Sequence, residues 1–223
     1  MINRKNIFLA VFLFLLLSSC ERDPLERFSV VYEVEFVGTW NATSHPTDFP
    51  IDPHFSPFVV VSHLPNSRLF IEGLNASEGL KQVAETGSTS TLEEELQFFI
   101  NTGEGLDVAV GDRLDSPGSS TKIQLGMREG YSSVTALSMV APSPDWFVAT
   151  TTNLLDPTDG LWYDQVTSYV ITYDAGTDSG LSFTSPDSVT TPVDPIGYLD
   201  EGPLTEGQDT VVNMGYFVFT RIK

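Results

Sequence analysis

The chain has 223 residues, of which 41% are hydrophobic, and its formal net charge is −19 at pH 7. Because so acidic a surface repels nucleic-acid phosphates and anionic lipids, the charge excludes nucleic-acid binding and favours cationic partners. The length and apolar content suffice for one hydrophobic core, and a single cysteine leaves no pair for an internal disulfide.

Residues 1–19 have the pattern of a cleaved signal peptide. Arg4 and Lys5 form a short basic region, and residues 7–17 form an apolar run that is shorter than the ~20 residues of a membrane-spanning helix. The run ends in Leu-Ser-Ser-Cys, which is typical of a bacterial lipoprotein signal. We therefore expect cleavage before Cys20 and lipidation of its thiol, which would anchor the chain to a membrane. An ordinary secretory signal with a chance cysteine is the alternative.

Cleavage would change the formal charge to −21, since it removes two basic residues and no acidic one. Residues 20–27 would then be a lipidated tether, and residues 28–223 one domain. Glu21 rather than Asp follows the cysteine, which favours the outer membrane over the inner membrane. The acidic residues after Cys20 also resemble a surface-export signal. We expect an outer-membrane lipoprotein, with the outer leaflet as a further option.

The first element after the tether is a half-buried strand. Tyr32, Val34 and Phe36 share one face of an extended segment, and Glu33 and Glu35 share the other. Strict alternation of apolar and polar residues indicates one face in a core and one in water.

Two short helices are predicted between the early strands. Residues 77–85 form a helix with Ser77 as its N-cap. Residues 91–99 form a second, in which Thr91 and Glu94 have the spacing of a capping box.

The other segments indicate an all-β domain with Gly, Pro, Asp and Ser between its strands. We predict strands over residues 58–63, 69–71, 123–127, 134–140, 147–152, 166–173 and 211–222. Residues 103–120 are acidic and rich in glycine, which predicts a mobile loop. About eight strands in this pattern predict a single antiparallel sandwich or barrel.

Five segments resemble the N-terminal spondin domain, a family found in F-spondin and mindin and in many bacterial proteins. They occur in the order of the family and extend over about residues 30–200: TWNATSHPTDFP (39–50), HFSPFVVVSH (54–63), GLNASEGLKQVAETG (73–87), LSMVAPSPDWFV (137–148) and YDAGTDSGLSFTSP (173–186). The resemblance implies a β-sandwich similar to calcium-dependent lipid-binding modules, with a calcium site at one end. It also implies a role in adhesion or recognition outside the cell.

The resemblance implies that calcium is bound by Asp145, Asp174 and Asp178. Calcium takes six to eight oxygen ligands at roughly 2.3–2.6 Å, and Gly176 permits a turn that brings two of these carboxylates together. The alternative is that each Asp accepts hydrogen bonds only from the backbone of its own turn.

The three histidines, His45, His54 and His63, are nine residues apart. We expect them to hold loops through hydrogen bonds, and a transition-metal triad is the alternative. Trp146 is expected in the core, whereas Trp162 and Tyr163 are candidates for an exposed aromatic surface.

The sequence contains no G-x-S-x-G, H-E-x-x-H or Gly-rich phosphate motif, so we expect that the protein is not an enzyme. We predict a monomeric, calcium-binding, lipid-anchored adhesion module whose ligand is a cell-surface, matrix or polysaccharide component. One alternative is a structural envelope lipoprotein in which calcium only stabilises the fold. A hydrolase that uses the Asp cluster is another.

Overall fold

The computed structural model describes residues 28–116, 118–200, 202–204 and 212–223. The predicted signal peptide and the tether through residue 27 lie outside these ranges. Within them, no helix is both long enough and apolar enough to cross a membrane.

The described residues form eleven strands and two α-helices in chain order. They are β1 (Val30–Gly38), β2 (His54–Phe55), β3 (Val59–His63), α1 (Glu78–Thr86), α2 (Ser90–Asn101), β4 (Gly105–Val110), β5 (Ser120–Met127), β6 (Ser133–Ala141), β7 (Trp146–Asn153), β8 (Gln165–Tyr169), β9 (Ile171–Asp174), β10 (Gly197–Tyr198) and β11 (Gly215–Arg221).

The strands form two antiparallel sheets. The smaller sheet has the order β5–β1–β11–β8, and the larger has the order β10–β9–β7–β6–β3–β4, with β2 paired to β6. All strand pairs within the two sheets are antiparallel. The prediction of an all-β antiparallel sandwich is therefore confirmed.

The main core lies between the two sheets. Tyr32, Val34 and Phe36 of β1 are fully buried there, as the alternation predicted. Phe36 stacks on Phe217 of β11 with ring centroids 4.4 Å apart. On the outer face, Lys122 forms ion pairs with the glutamates of β1.

A second core lies on the other face of the larger sheet, where the two helices cover it. Leu80 and Leu96 of the helices belong to one buried cluster with Val59, Val61 and Leu137 of the sheet. Every residue of β3 and β6 is therefore buried, because these strands have apolar layers on both faces.

The first helix begins as predicted. The Ser77 hydroxyl accepts a hydrogen bond from the Leu80 amide at 3.2 Å. Gly79 allows α1 to approach α2, since a Cβ at this position would lie 2.6 Å from the Leu92 Cα.

The predicted capping box of the second helix is wrong. The N-cap is Thr89, and the Thr91 hydroxyl donates to Gln82 Oε1 of α1 at 2.7 Å. The prediction failed because the Thr91 hydroxyl, which a capping box requires, is bonded to α1 instead.

The predicted strand over 166–173 is two strands. β8 belongs to the smaller sheet and β9 to the larger, and buried Val170 lies where the chain crosses between them. The apolar alternation continues through the crossing because both strands face the same core, so the sequence pattern contains no break.

Residues 69–71 do not form the predicted strand. Phe70 packs edge-on against Phe147 and Tyr173 at 5.3 and 5.1 Å, so the apolar side chains hold a loop against the second core. The predicted mobile loop is also wrong in part, since residues 105–110 form β4 by pairing with β3. That pairing is a long-range contact that acidic, Gly-rich composition does not reveal.

The close approach at Gly79 leads to a stability prediction. We expect Gly79→Ala to lower the free energy of unfolding by about 1–3 kcal/mol, because the added methyl group overlaps the Leu92 backbone. Helix propensity alone would raise stability by about 1 kcal/mol. Urea unfolding measures the difference, with Glu78→Ala at an exposed position of the same helix as the control. A Gly79→Ala protein more stable than wild type would contradict the close packing.

Candidate functional site

Asp145 lies immediately before β7 and is fully buried, with 0% of its surface exposed. Its Oδ2 accepts hydrogen bonds from the Thr177 amide at 2.6 Å, the Thr177 hydroxyl at 3.2 Å and the Asp178 amide at 3.0 Å. One carboxylate oxygen therefore connects the start of β7 to the turn that follows β9.

The other carboxylate oxygen, Asp145 Oδ1, is buried and has no hydrogen-bond partner. Burial is the larger reason that the pKa of Asp145 is raised to about 6, and the nearby Asp174 carboxylate adds to it. The three donors to Oδ2 oppose this rise without cancelling it.

Asp174 ends β9 beside Asp145. Its backbone is paired with Trp146 of β7, and the next amide, of Ala175, donates to the Asp145 carbonyl at 3.1 Å. Burial raises the pKa of the Asp174 carboxyl, and the charges of Asp178 and Asp194 raise it further.

Two N–H groups oppose that rise in the pKa of Asp174. The Gly176 amide donates to Asp174 Oδ1 at 2.7 Å. The Trp146 indole N–H also lowers the pKa, although it lies outside good hydrogen-bond geometry and has no other partner.

Asp178 closes the turn after β9. It is 8% exposed, and its Oδ1 and Oδ2 accept from the amides of Gly180 at 2.8 Å and Ser188 at 2.6 Å. Gly176, with φ of 76°, is required in this turn, because a Cβ there would lie 2.1 Å from the Asp194 carbonyl oxygen.

The structure thus brings the carboxylates of Asp145 and Asp174 together, whereas the Asp178 carboxylate binds its own loop. In the described ranges, no three His, Cys, Asp or Glu side chains are grouped closely enough to hold a metal ion by themselves. No basic side chain of the described chain forms an ion pair with any of the three aspartates. The alternative, that each aspartate only accepts hydrogen bonds from its own turn, fits Asp174 and Asp178. It does not fit Asp145, which accepts from residues more than thirty positions away.

Sequence reasoning missed two contributors to this site. Thr177 donates twice to Asp145, and Asp194 adds negative charge near Asp174. The position of Thr177 between two aspartates was a usable signal. Nothing in the sequence indicated that the loop containing Asp194 folds back onto Gly176.

The expected structural role of the histidines is confirmed. His45 Nε2 lies 3.1 Å from the Val212 carbonyl, and His63 Nε2 lies 2.9 Å from the Thr135 hydroxyl. His54 Nδ1 lies 2.9 Å from a carbonyl of its own loop. Burial lowers the pKa of both His45 and His63.

The aromatic predictions are confirmed in part. Trp146 is 1% exposed and belongs to the main core. Trp162 is half-buried against that core, with its ring centroid 6.3 Å from that of Tyr32, so it does not form an exposed surface. Tyr163 remains 37% exposed.

The Spondin_N family model matches residues 30–205, which include the whole aspartate site. The chain belongs to the Spondin_N family.

Known spondins are similar to this spondin domain over most of its length. Spondin-1 of Gallus gallus is 34% identical over 172 residues, which are 74% of this chain and 21% of that protein. Spondin-2 of Homo sapiens is 31% identical over 187 residues, which are 80% of this chain and 54% of that protein. The match thus spans about a fifth of the first relative and about half of the second.

The unpartnered carboxylate oxygen predicts how the metal-free spondin domain responds to pH. The pKa of Asp145 is about 6 in the fold and 3.8 ordinarily, so the folded state binds its proton more tightly than the unfolded state. Ionisation therefore removes stability as pH rises from about 4 through about 6, by about 3 kcal/mol in total.

We expect Asp145→Asn to remove this loss, because its amide oxygen can accept the bonds from Thr177 and Asp178. Urea unfolding in EDTA at pH 4.5 and 7.5 measures the difference between the variant and wild type. The lowered pKa values of His45 and His63 act in the opposite direction, since their protonation destabilises the fold as pH falls. Both histidines are present in both proteins and cancel in the comparison. An identical pH dependence of the two proteins would be inconsistent with a buried ionised Asp145.

Proposed function

We propose that this spondin domain is a non-catalytic binding module that acts outside the cytoplasm and takes up calcium at Asp145, Asp174 and Asp178. The observation that carries the proposal is the unpartnered oxygen of fully buried Asp145, beside the half-buried carboxylate of Asp174. A buried carboxylate oxygen is seldom left without a hydrogen-bond partner, because removing an unpaired polar atom from water is costly.

The residues fit a hard divalent cation. Calcium prefers carboxylate oxygens and completes its shell with backbone carbonyls and water, so two adjacent carboxylates with a third nearby suffice as the charged ligands. A cation beside Asp145 and Asp174 would also favour their ionised forms, which burial and mutual repulsion oppose.

Calcium would act here by holding the long segment between β9 and β10. That segment already bonds to Asp145 through Thr177 and Asp178, and a shared cation would strengthen the same connection. Extracellular calcium modules bind at about 10⁻⁴–10⁻³ M, so the site would fill only outside the cell. The ordered loops at this end of the sandwich would form the recognition surface.

A non-catalytic role is supported by the complete burial of Asp145. A general acid or nucleophile must come within hydrogen-bond distance of a substrate, and Asp145 is enclosed by the fold. The net charge of −19 favours a cationic partner on a cell surface or in a matrix. A polysaccharide ligand is the other class that the spondin resemblance suggests, and the module would act as a monomer.

The calcium proposal predicts a metal-dependent change in thermal stability. We expect millimolar calcium to raise the Tm of wild type by several degrees relative to EDTA, and to leave Asp145→Asn unchanged. Asp187→Asn, in the same loop segment and exposed, is the matched control and should respond like wild type. Differential scanning calorimetry provides the measurement. Equal responses of wild type and Asp145→Asn would exclude calcium binding at this site.

Membrane attachment is a separate part of the proposal. We propose that lipid on Cys20 holds the module at the outer membrane, as the sequence before that cysteine indicates. In a Gram-negative host, wild type should incorporate labelled palmitate and sediment with outer membranes, whereas Cys20→Ser should do neither. A labelled Cys20→Ser protein would disprove the assignment of the lipid.

A further inference from the structure

A cavity of about 470 Å³ opens at the end of the larger sheet, next to the aspartate site. Its lining includes Trp146, Asp174 and Gly197, which belong to the neighbouring strands β7, β9 and β10. This volume is within the range of pockets that bind small ligands.

The cavity exists because one row of the sheet lacks a side chain. Trp146 is paired with Asp174, and Asp174 with Gly197, so these three positions share the face directed at the main core. A Cβ at Gly197 would meet no atom within 4 Å. The space that a side chain at the edge of the sheet would fill is therefore open.

The lining contains two acidic residues and one tyrosine, Tyr198, and is otherwise largely apolar. Asp174 and Asp200 provide carboxylates, and Leu181 and Leu199 provide aliphatic surface together with two prolines. No Lys, Arg or His belongs to the lining among the residues that the structure describes.

We propose that this cavity, called here the β10 pocket, binds an aliphatic ammonium group, namely the side chain of a lysine on a partner protein. The methylene chain packs on Leu181 and Leu199, and the ammonium donates to Asp174 and Asp200. The net charge of −19 attracts basic partners to the protein as a whole. The inference deepens the proposed binding function by naming its partner chemistry, and it shares only Asp174 with the proposed calcium site.

Nuclear magnetic resonance of the ¹⁵N-labelled protein tests the pocket directly, because Trp146 lines it and its indole N–H gives a separate resonance. Titration with Nα-acetyl-lysine amide in EDTA should shift this resonance with a dissociation constant of about 1 mM, the affinity expected of so small a ligand. Nα-acetyl-norleucine amide has the same kind of aliphatic chain without the ammonium and should cause no saturable shift. The proposal would be overturned if both compounds bind equally or if the lysine compound causes no saturable shift. It would also be overturned if glucose, titrated in the same way, binds more tightly than the lysine compound.

Two variants separate the pocket from the calcium site. Gly197→Leu places a side chain in the open space, where its Cβ would meet no atom within 4 Å, and should abolish binding of the lysine compound. Asp200→Asn should weaken it about tenfold, and exposed Asp187→Asn should leave it unchanged. Both pocket variants should keep the calcium-dependent rise in Tm. Binding of the lysine compound that persists in Gly197→Leu would refute the pocket. If wild type binds the lysine compound but calcium does not raise its Tm, only the calcium site is refuted.

Discussion

The hydrogen bonds from the 177–178 backbone to the buried Asp145 carboxylate connect the separate segments that form the aspartate site. They join the start of β7, in the middle of the larger sheet, to the long segment after β9. The second oxygen of Asp145 has no hydrogen-bond partner at this junction. A cation would stabilise the carboxylates and order the loop at the same time.

The rest of the architecture makes that junction rigid. The larger sheet is covered by the helices on one face and by the smaller sheet on the other, so its central strands cannot shift without disturbing two cores. The site lies where this double coverage ends, at β9 and the two-residue strand β10. Gly197 at that edge leaves the β10 pocket open beside the charged groups. A rigid scaffold thus presents both an acidic centre and a ligand-sized space.

Local sequence patterns predicted the elements whose cause is local. Alternation identified β1 correctly, and Ser77 capped α1 as expected, because burial of one face and a cap depend on residues within a few positions. The predictions failed where distant segments decide the outcome. The crossing at Val170, the pairing of β4 and the anchoring of Phe70 all depend on partners remote in sequence.

For the site, the sequence identified Asp145, Asp174 and Asp178 as the candidate ligands, in segments typical of the spondin family. Only the tertiary structure decided how deeply each carboxylate is buried and which hydrogen bonds it accepts. It buried Asp145 against a turn more than thirty residues away, left one oxygen unpartnered, and used both Asp178 oxygens in the loop itself. Residue identity supplies a carboxylate, but its solvation and neighbours, which set its pKa and its capacity for a cation, arise only when distant strands come together.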